Sequence, residues 1–482
     1  MAPRPPNPIR LVILWVGLGL ARLGLIDRER ARRTTDLAWP RIVTGLARMS
    51  KSAVDVAMVG IAVGSAAIAG VGFAGPFWGL AFTVGGGVAG GTIALVSQRY
   101  GAGRFDELGQ AIRSSVLLVL LVSVPLAAFF ATFSTELISI ISNDPEVIEL
   151  GAAYLAVVAF GVPFAGLNLI GSRTFVGMDD AWTPMVIRAG GAVANIGINA
   201  VLIFVVGMGV VGAAIGTVLA NVLVTAAFGT LLVTGRFPGV PDMDVTVEPF
   251  GTYADLAVCR SLVEIGVPVF GRNLVWTIAE IPLLSIVDMF GTDVASAYVI
   301  ARRVWALMNT PGWGFSLAAS SLVGQELGAN DERTAERYGR EIVRFSVAVY
   351  AVSAAIVFVF AEPITLAFVD DPGELSVPVA VTLVQVACFA ILVRGIAGAA
   401  EGALNAAGDT SWPFYGQFLG MFGGAIPLAY LGATTPLGLY GLYLAFIAET
   451  AIPAAINYYR FATGKWKVIS RSYRPSAASA DD

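Results

Sequence analysis

The chain says nearly the same thing twice. VSQRYGAG at Val96 to Gly103 returns as VGQELGAN at Val323 to Asn330, 227 residues later. The same shift carries Gly64 onto Gly291 and Trp78 onto Trp305. A shift of 229 carries Asp180 and Pro184 onto Asp409 and Pro413, and Gly209 and Gly212 onto Gly438 and Gly441. A register that drifts by so little over half a chain marks a duplicated unit. Each copy is long and apolar, and duplicated bundles of membrane helices are how many secondary transporters are built, with the substrate site between the halves.

Composition agrees. Hydrophobic residues make up 56% of the chain and charged ones 13%, with a mean hydropathy of +0.77. A soluble domain carries about 25% charge, so this is a protein dissolved in lipid. Two cysteines, Cys259 and Cys388, suggest neither a disulfide framework nor a metal cluster. The absence of histidine excludes a histidine proton relay or metal site. Lysine is confined to Lys51, Lys465 and Lys467.

A helix needs about 20 apolar residues to cross about 30 Å of hydrocarbon. The pattern predicts an all-α polytopic protein with twelve spans. They run near 39–63, 68–98, 108–133, 146–177, 182–208, 210–235, 262–290, 293–326, 338–361, 376–407, 411–433 and 437–460. The short segment 10–26, interrupted by Arg22, reads as an interfacial helix rather than a thirteenth span or a cleaved signal.

Loop charge sets the orientation. Arginines gather at Arg28 to Arg33, Arg99, Arg104, Arg113, Arg173, Arg236, Arg260, Arg333, Arg337 and Arg340, and basic residues again from Arg460 to Arg474. The alternate loops hold acids: Glu136, Asp144, Glu146 and Glu149 in one half, and Glu362, Asp370, Asp371 and Glu374 in the other. Positive residues stay inside, which puts both termini in the cytoplasm of a multi-pass cell-membrane protein. The proline-bearing stretch 236–261 is the only real linker. The expected organisation is an N-terminal segment 1–38, a first lobe 39–235, the linker, a second lobe 262–461 and a tail 462–482. A six-helix unit keeps its orientation when repeated, so an axis along the membrane normal should relate the lobes.

The motifs now become specific. SAVDVAMVG around Asp55, VSQRYGAG at the end of the second span and GMDDAWTPM at Gly177 to Met185 resemble the multidrug and toxic compound extrusion (MATE) family, in its prokaryotic form. The resemblance covers Trp39 to Arg460. It implies a V-shaped molecule of two six-helix lobes that exports organic, often cationic, compounds in exchange for protons or sodium. It implies no cofactor, a small-molecule substrate and a monomer among membrane lipids.

A carboxylate inside a membrane helix is expensive and marks an ion or substrate path by default. Asp55 is the leading candidate. The resemblance adds Asn195, Asn199 and Thr217, with Tyr154 nearby. Such oxygen donors suit sodium and equally suit a hydrogen-bonded proton site; asparagines also simply join membrane helices. Two departures from the family pattern stand out. Asn199 occupies a position where many relatives carry a second aspartate. Lys51 lies four residues before Asp55 on the same helix face, either pairing with it or reaching toward cavity water. Both features reduce the negative charge available to sodium and favour protons.

In the second lobe Glu280, Asp288, Glu401 and Glu449 are candidates for coupling, with Glu280 foremost because Pro282 loosens its helix. The competing reading is that Arg272, Arg302, Arg303 and Arg394 neutralise these acids in structural ion pairs. Aromatics such as Trp276 and Trp305 can stack on flat cations or on neighbouring helices. No GxxxxGK[ST] string is present, which argues against ATP-driven transport by this chain. A flippase for lipid-linked saccharides would favour an arginine-rich cavity and further spans. A non-transporting enzyme or scaffold would need a nucleophile–base cluster that the sequence lacks.

Overall fold

The structure, a computed structural model, describes residues 7–243, 245–368 and 376–475. The acidic residues Asp370, Asp371 and Glu374 and the tail from 476 lie outside the described residues. Among those described the chain is helical, with no strand.

Helix α1 spans Pro8–Arg22, capped by the Asn7 side chain on Ile9 N. Its fifteen residues rise about 22 Å, too little to cross a bilayer. The first half of the repeat follows as α2 (Arg28–Val63), α3 (Ser65–Gly101), α4 (Phe105–Thr132), the short α5 (Ser134–Ser139), α6 (Pro145–Val158), α7 (Val162–Gly177), α8 (Trp182–Ala200) and α9 (Gly209–Thr234). The second half is α10 (Leu256–Asp288), α11 (Thr292–Gly328), α12 (Glu332–Val359), α13 (Ala361–Leu366), α14 (Ser376–Ala406), α15 (Ser411–Phe418), α16 (Ile426–Thr434) and α17 (Leu439–Ala462), followed by α18 (Trp466–Ser470). A 3-10 turn joins α6 to α7, and π-helical turns extend α8 and join α15 to α16. Counted through those joints, twelve helical rods stand where twelve spans were expected. Nine of them, among the described residues, are long and apolar enough to cross a membrane by composition alone. The exceptions are α2, α11 and the segment from α15 to α16, and α2 and α11 both carry internal arginines.

The duplication is also written in the backbone. Positive φ angles recur in register at Gly64 and Gly291, Gly103 and Asn330, Asp179 and Gly408, Gly209 and Gly438, and Gly235 and Gly464. Gly64 (φ 114°, ψ −171°) and Gly291 (φ 97°, ψ 164°) cap α3 and α11 in a region that only glycine occupies at low cost. The two copies therefore turn at the same places for the same steric reason.

By contact the chain divides into two compact units, 43–270 and 1–42 with 271–482, and the boundaries fall inside α2 and α10. In the unit 43–270, small residues let helices touch. A Cβ at Gly70 would stand 2.7 Å from Gly151 N, so α3 and α6 meet backbone to backbone. The polar linker is tied down by Arg113, which donates to the carbonyls of Glu248 and Thr252, and by the Ser114 hydroxyl on Tyr253 O. In the other unit, α14 runs down the centre, and a Cβ at Gly402 would stand 2.2 Å from Ser316 O of α11. Helix α1 rests there on α12, with Gly17 against the Phe345 ring and Arg10 on Asp36 at 2.8 Å.

Candidate ion-coupling site

Asp55 sits in α2, and neither of its carboxylate oxygens is idle. Lys51 Nζ, one turn earlier, donates to Oδ2 at 2.6 Å, and Asn199 Nδ2 from α8 donates to Oδ1 at 2.9 Å. Lysine four residues before an aspartate lies on the same face of a helix, so the ion pair is local to α2, whereas Asn199 brings in a second helix. The pair is not sealed: the Lys51 and Asp55 side chains are 23% and 18% exposed. Behind them Asn195 and Asn199 are fully buried.

From Asp55 the polar groups continue as a chain. Asn199 Nδ2 also reaches Asn195 Oδ1 at 3.3 Å, and Asn195 Nδ2 reaches Thr217 Oγ1 of α9 at 3.4 Å. Tyr154, on α6, lies beside Thr217 and within electrostatic range of Asp55, packed among Met58, Val59 and Ala213. Asn199 is held close to α9 because residue 216 is glycine: a Cβ there would stand 1.9 Å from Asn199 Oδ1. That buried oxygen has no hydrogen-bond donor among the described residues.

The chain runs further than the sequence reading anticipated. Asn221 Nδ2 donates to Thr217 O at 2.9 Å, Asn168 Nδ2 of α7 donates to Asn221 Oδ1 at 2.9 Å, and Thr225 Oγ1 donates to Asn168 Oδ1 at 2.8 Å. The signal was present in the sequence. Thr217, Asn221 and Thr225 recur every four residues in a largely apolar helix, which puts them on one face. The structure thus brings Lys51, Asp55, Tyr154, Asn195, Asn199 and Thr217 together in one unit and adds Asn168, Asn221 and Thr225.

The second-half acids are disposed differently. Glu449 of α17 is 1% exposed, with Oε1 2.6 Å from Arg302 Nη1 of α11. The Arg302 guanidinium lies 5.1–5.8 Å from the ring centres of Trp305, Trp276, Phe446 and Tyr298. Trp276 and Trp305 stack on each other at 5.4 Å. Glu401 of α14 lies 2.6 Å from Arg272 Nη1, an ionic contact whose N–H points off the hydrogen-bond line. Arg394 donates to Asn309 Oδ1 at 3.1 Å. Glu280 is exposed on α10, within electrostatic range of Arg302 and Glu449, and Asp288 is exposed at the end of the same helix. The four acids therefore form no single site.

No group of three His, Cys, Asp or Glu side chains able to hold a metal ion occurs among the described residues. At Asp55 the oxygens that a sodium ion would use are already engaged by an ammonium and an amide. What the arrangement offers chemically is a carboxylate inside a membrane helix whose charged form is held by donors on both oxygens.

The family model MatE matches residues 40–201 and 268–431. The probable multidrug resistance protein YoeA of Bacillus subtilis (strain 168) is 25% identical over 398 residues, covering 80% of this chain and 83% of the relative. The probable multidrug resistance protein NorM of Bradyrhizobium diazoefficiens is 26% identical over 452 residues, covering 89% and 92%. The crystal structure of MATE in the bent conformation superposes with a TM-score of 0.84 at 18% identity, over 96% of this chain and 99% of that one.

Proposed function

Because the chain belongs to the MatE family of membrane transporters, not enzymes, we propose that it exports organic compounds across the cell membrane by antiport against protons. Its relatives YoeA and NorM are named as probable multidrug resistance proteins. The distribution of arginine supports cytoplasmic termini. The repeat supports two functional halves, 39–235 and 262–461. The protein works as a monomer among lipids.

The observation that carries the proton reading is the doubly engaged carboxylate of Asp55. An ammonium 2.6 Å away stands where a sodium ion would bind. With asparagine rather than aspartate at 199, no second acid compensates. A helix movement that parts Lys51 from Asp55 leaves the carboxylate without its counter-charge, and a lone carboxylate in a membrane interior takes up a proton. Return of the lysine expels it. Transport is then the alternation of the Asp55 partner between ammonium and proton, with Asn199, Asn195 and Thr217 steadying the charged state. The buried pairs Arg302–Glu449 and Arg272–Glu401 are structural ties on this reading, and Glu280 and Asp288 are accessory at most.

The test is uptake of a fluorescent organic dye into inverted vesicles energised by a proton gradient or a sodium gradient separately. Proton-driven uptake abolished by a protonophore and indifferent to sodium is expected. Uptake driven by sodium with the proton gradient collapsed would sink the proton reading.

A further inference from the structure

The unit 43–270 holds eight arginines, and most of them are accounted for by acceptors on the protein. Arg104 pairs with Glu107, Arg236 with Asp242 and Arg260 with Glu264, Arg113 bonds linker carbonyls, and Arg99 donates to Leu95 O. Arg173 on α7 and Arg188 on α8 are different. Both are partly buried, and neither donates a hydrogen bond or meets a carboxylate among the described residues. The charges they do feel are like charges: Arg173 lies within electrostatic range of Arg188, and Arg188 of Arg48. Arg48, on α2, rests on the Phe82 ring with its guanidinium carbon 5.6 Å from the ring centre.

Helix register fixes where this cluster lies. Arg48 precedes Asp55 by seven residues on α2, and Arg188 precedes Asn195 by seven on α8. Seven residues are nearly two full turns, so each pair shares a helix face about 10 Å apart. The Asn199–Asp55 hydrogen bond holds the two helices level. Two tiers result, one around Asp55 and one of guanidinium groups two turns toward the N-terminal ends of α2 and α8. Lys51 pairs with Asp55 in the first tier, and no carboxylate among the described residues pairs with Arg173 or Arg188 in the second.

Arginine does not discharge by losing its proton, and its planar fork of N–H donors matches carboxylate, sulfonate and phosphate groups. Arg173 and Arg188, which meet no acceptor on the protein among the described residues and feel one another's charge and that of Arg48, are stabilised by a negative group placed among them. We propose that Arg173 and Arg188, with Arg48 beside them, form an anion-binding site that takes the acidic group of an amphiphilic molecule. The export reading supplies the direction of movement; binding itself does not depend on it. The acidic group can belong to an exported solute or to a phospholipid headgroup, and the experiment separates the two.

Purified protein in nanodiscs of zwitterionic phosphatidylcholine is titrated with carboxyfluorescein, and in parallel with the cationic dye rhodamine 6G, both read by anisotropy without any gradient. Carboxyfluorescein is expected to bind, and Arg173→Gln and Arg188→Gln are each expected to weaken it at least about tenfold, the loss of one charge-assisted contact. Arg188→Lys should recover part of the affinity, and rhodamine binding should not weaken in any variant. Displacement of the dye by phosphatidylglycerol in the nanodisc, lost in the Gln variants, assigns the site to a lipid headgroup; indifference to that lipid assigns it to solutes. No binding of carboxyfluorescein to the unmodified protein, equal binding in all variants, or parallel loss of rhodamine would overturn the site. Intact, arginine-dependent binding without gradient-driven uptake of any dye would overturn the export reading instead and leave the site standing.

Discussion

Each half of this chain holds an ion pair among its helices, yet the two pairs are built differently. Lys51–Asp55 is local to one helix and partly open, with the second carboxylate oxygen lent to an asparagine of another helix. Arg302–Glu449 joins two distant helices, is nearly closed to solvent and is walled by four aromatic rings. An ammonium on a flexible stem can leave its partner and can give up its proton; a guanidinium stacked among rings can do neither easily. On the proposed reading, one scaffold, duplicated, keeps a changeable charge in one copy and a fixed one in the other. The contrast makes the first copy the place where ion movement is to be sought.

The hardest blow to this contrast falls at Asp55. Asp55→Asn keeps the shape and one hydrogen bond to Asn199 but cannot alternate between charged and neutral forms. Dye uptake into vesicles is expected to drop to that of protein-free membranes while the amount of folded protein is unchanged. Near-normal uptake would remove Asp55 from the coupling role and end the comparison.

Glu449→Gln should reverse the pattern. It leaves Arg302 buried without its counter-charge, and breaking a buried pair from one side typically costs about 3–5 kcal/mol. A marked fall in the melting temperature of the detergent-solubilised protein is expected, with the pH and sodium dependence of the remaining uptake unaltered. A stable variant with an altered pH profile would mean that the second copy also couples.

Lys51→Met is subtler. The carboxylate then lacks its ammonium, and the pH optimum of uptake should move upward, as expected on removing a close opposite charge from a coupling site. A new sodium response would show that the ammonium had been excluding that ion. Unchanged pH and sodium profiles would mean that the contact with Asp55 has no part in coupling.

How much of this could be read from the residues alone differs between fold and site. The duplication and the helical rods were legible because apolar length and turn glycines leave marks in single positions, such as Gly64 and Gly291. The pairing of Lys51 with Asp55 was legible as one of two readings because both lie on one helix at a spacing of four. Arg272 and Arg302 were legible among the arginines that could neutralise the second-lobe acids, but their pairing with Glu401 and Glu449 was not, since the partners lie more than a hundred residues apart and sequence supplies no register between them. The same holds for Asn168, whose partners lie 53 and 57 residues along the chain. The cluster of Arg48, Arg173 and Arg188 was missed for a further reason: Arg173 read as an ordinary loop charge, and its lack of a partner becomes visible only when the neighbouring helices are in place.

The smallest expected effect sets a buried guanidinium–carboxylate pair against an exposed one in the same unit. Glu332, at the first turn of α12, accepts from Arg471 Nε at 2.8 Å and Nη2 at 3.0 Å, and from Arg474 Nη2 at 2.9 Å. The Arg471 hydrogen bonds hold its carboxyl below the ordinary value of 4.5; burial opposes them, and the Arg474 hydrogen bond adds to the lowering. A carboxyl depressed by folding stabilises the docked segment fully above its ordinary value, and the contribution fades as pH falls through the depressed one. Docking of residues 464–475 should therefore be insensitive to pH near neutrality and loosen only in acid, below about 4.5. Exposed pairs contribute about 0.2–1 kcal/mol, far less than Arg302–Glu449. Hydrogen exchange of these amides, corrected for intrinsic rates, should rise a few-fold in Glu332→Gln at neutral pH and lose its acid step, with dye uptake untouched. If the variant exchanged like the unmodified protein, docking would rest instead on the ion pair of Lys467 with Glu336 and on buried Trp466, whose ring stacks on Phe461 at 5.5 Å.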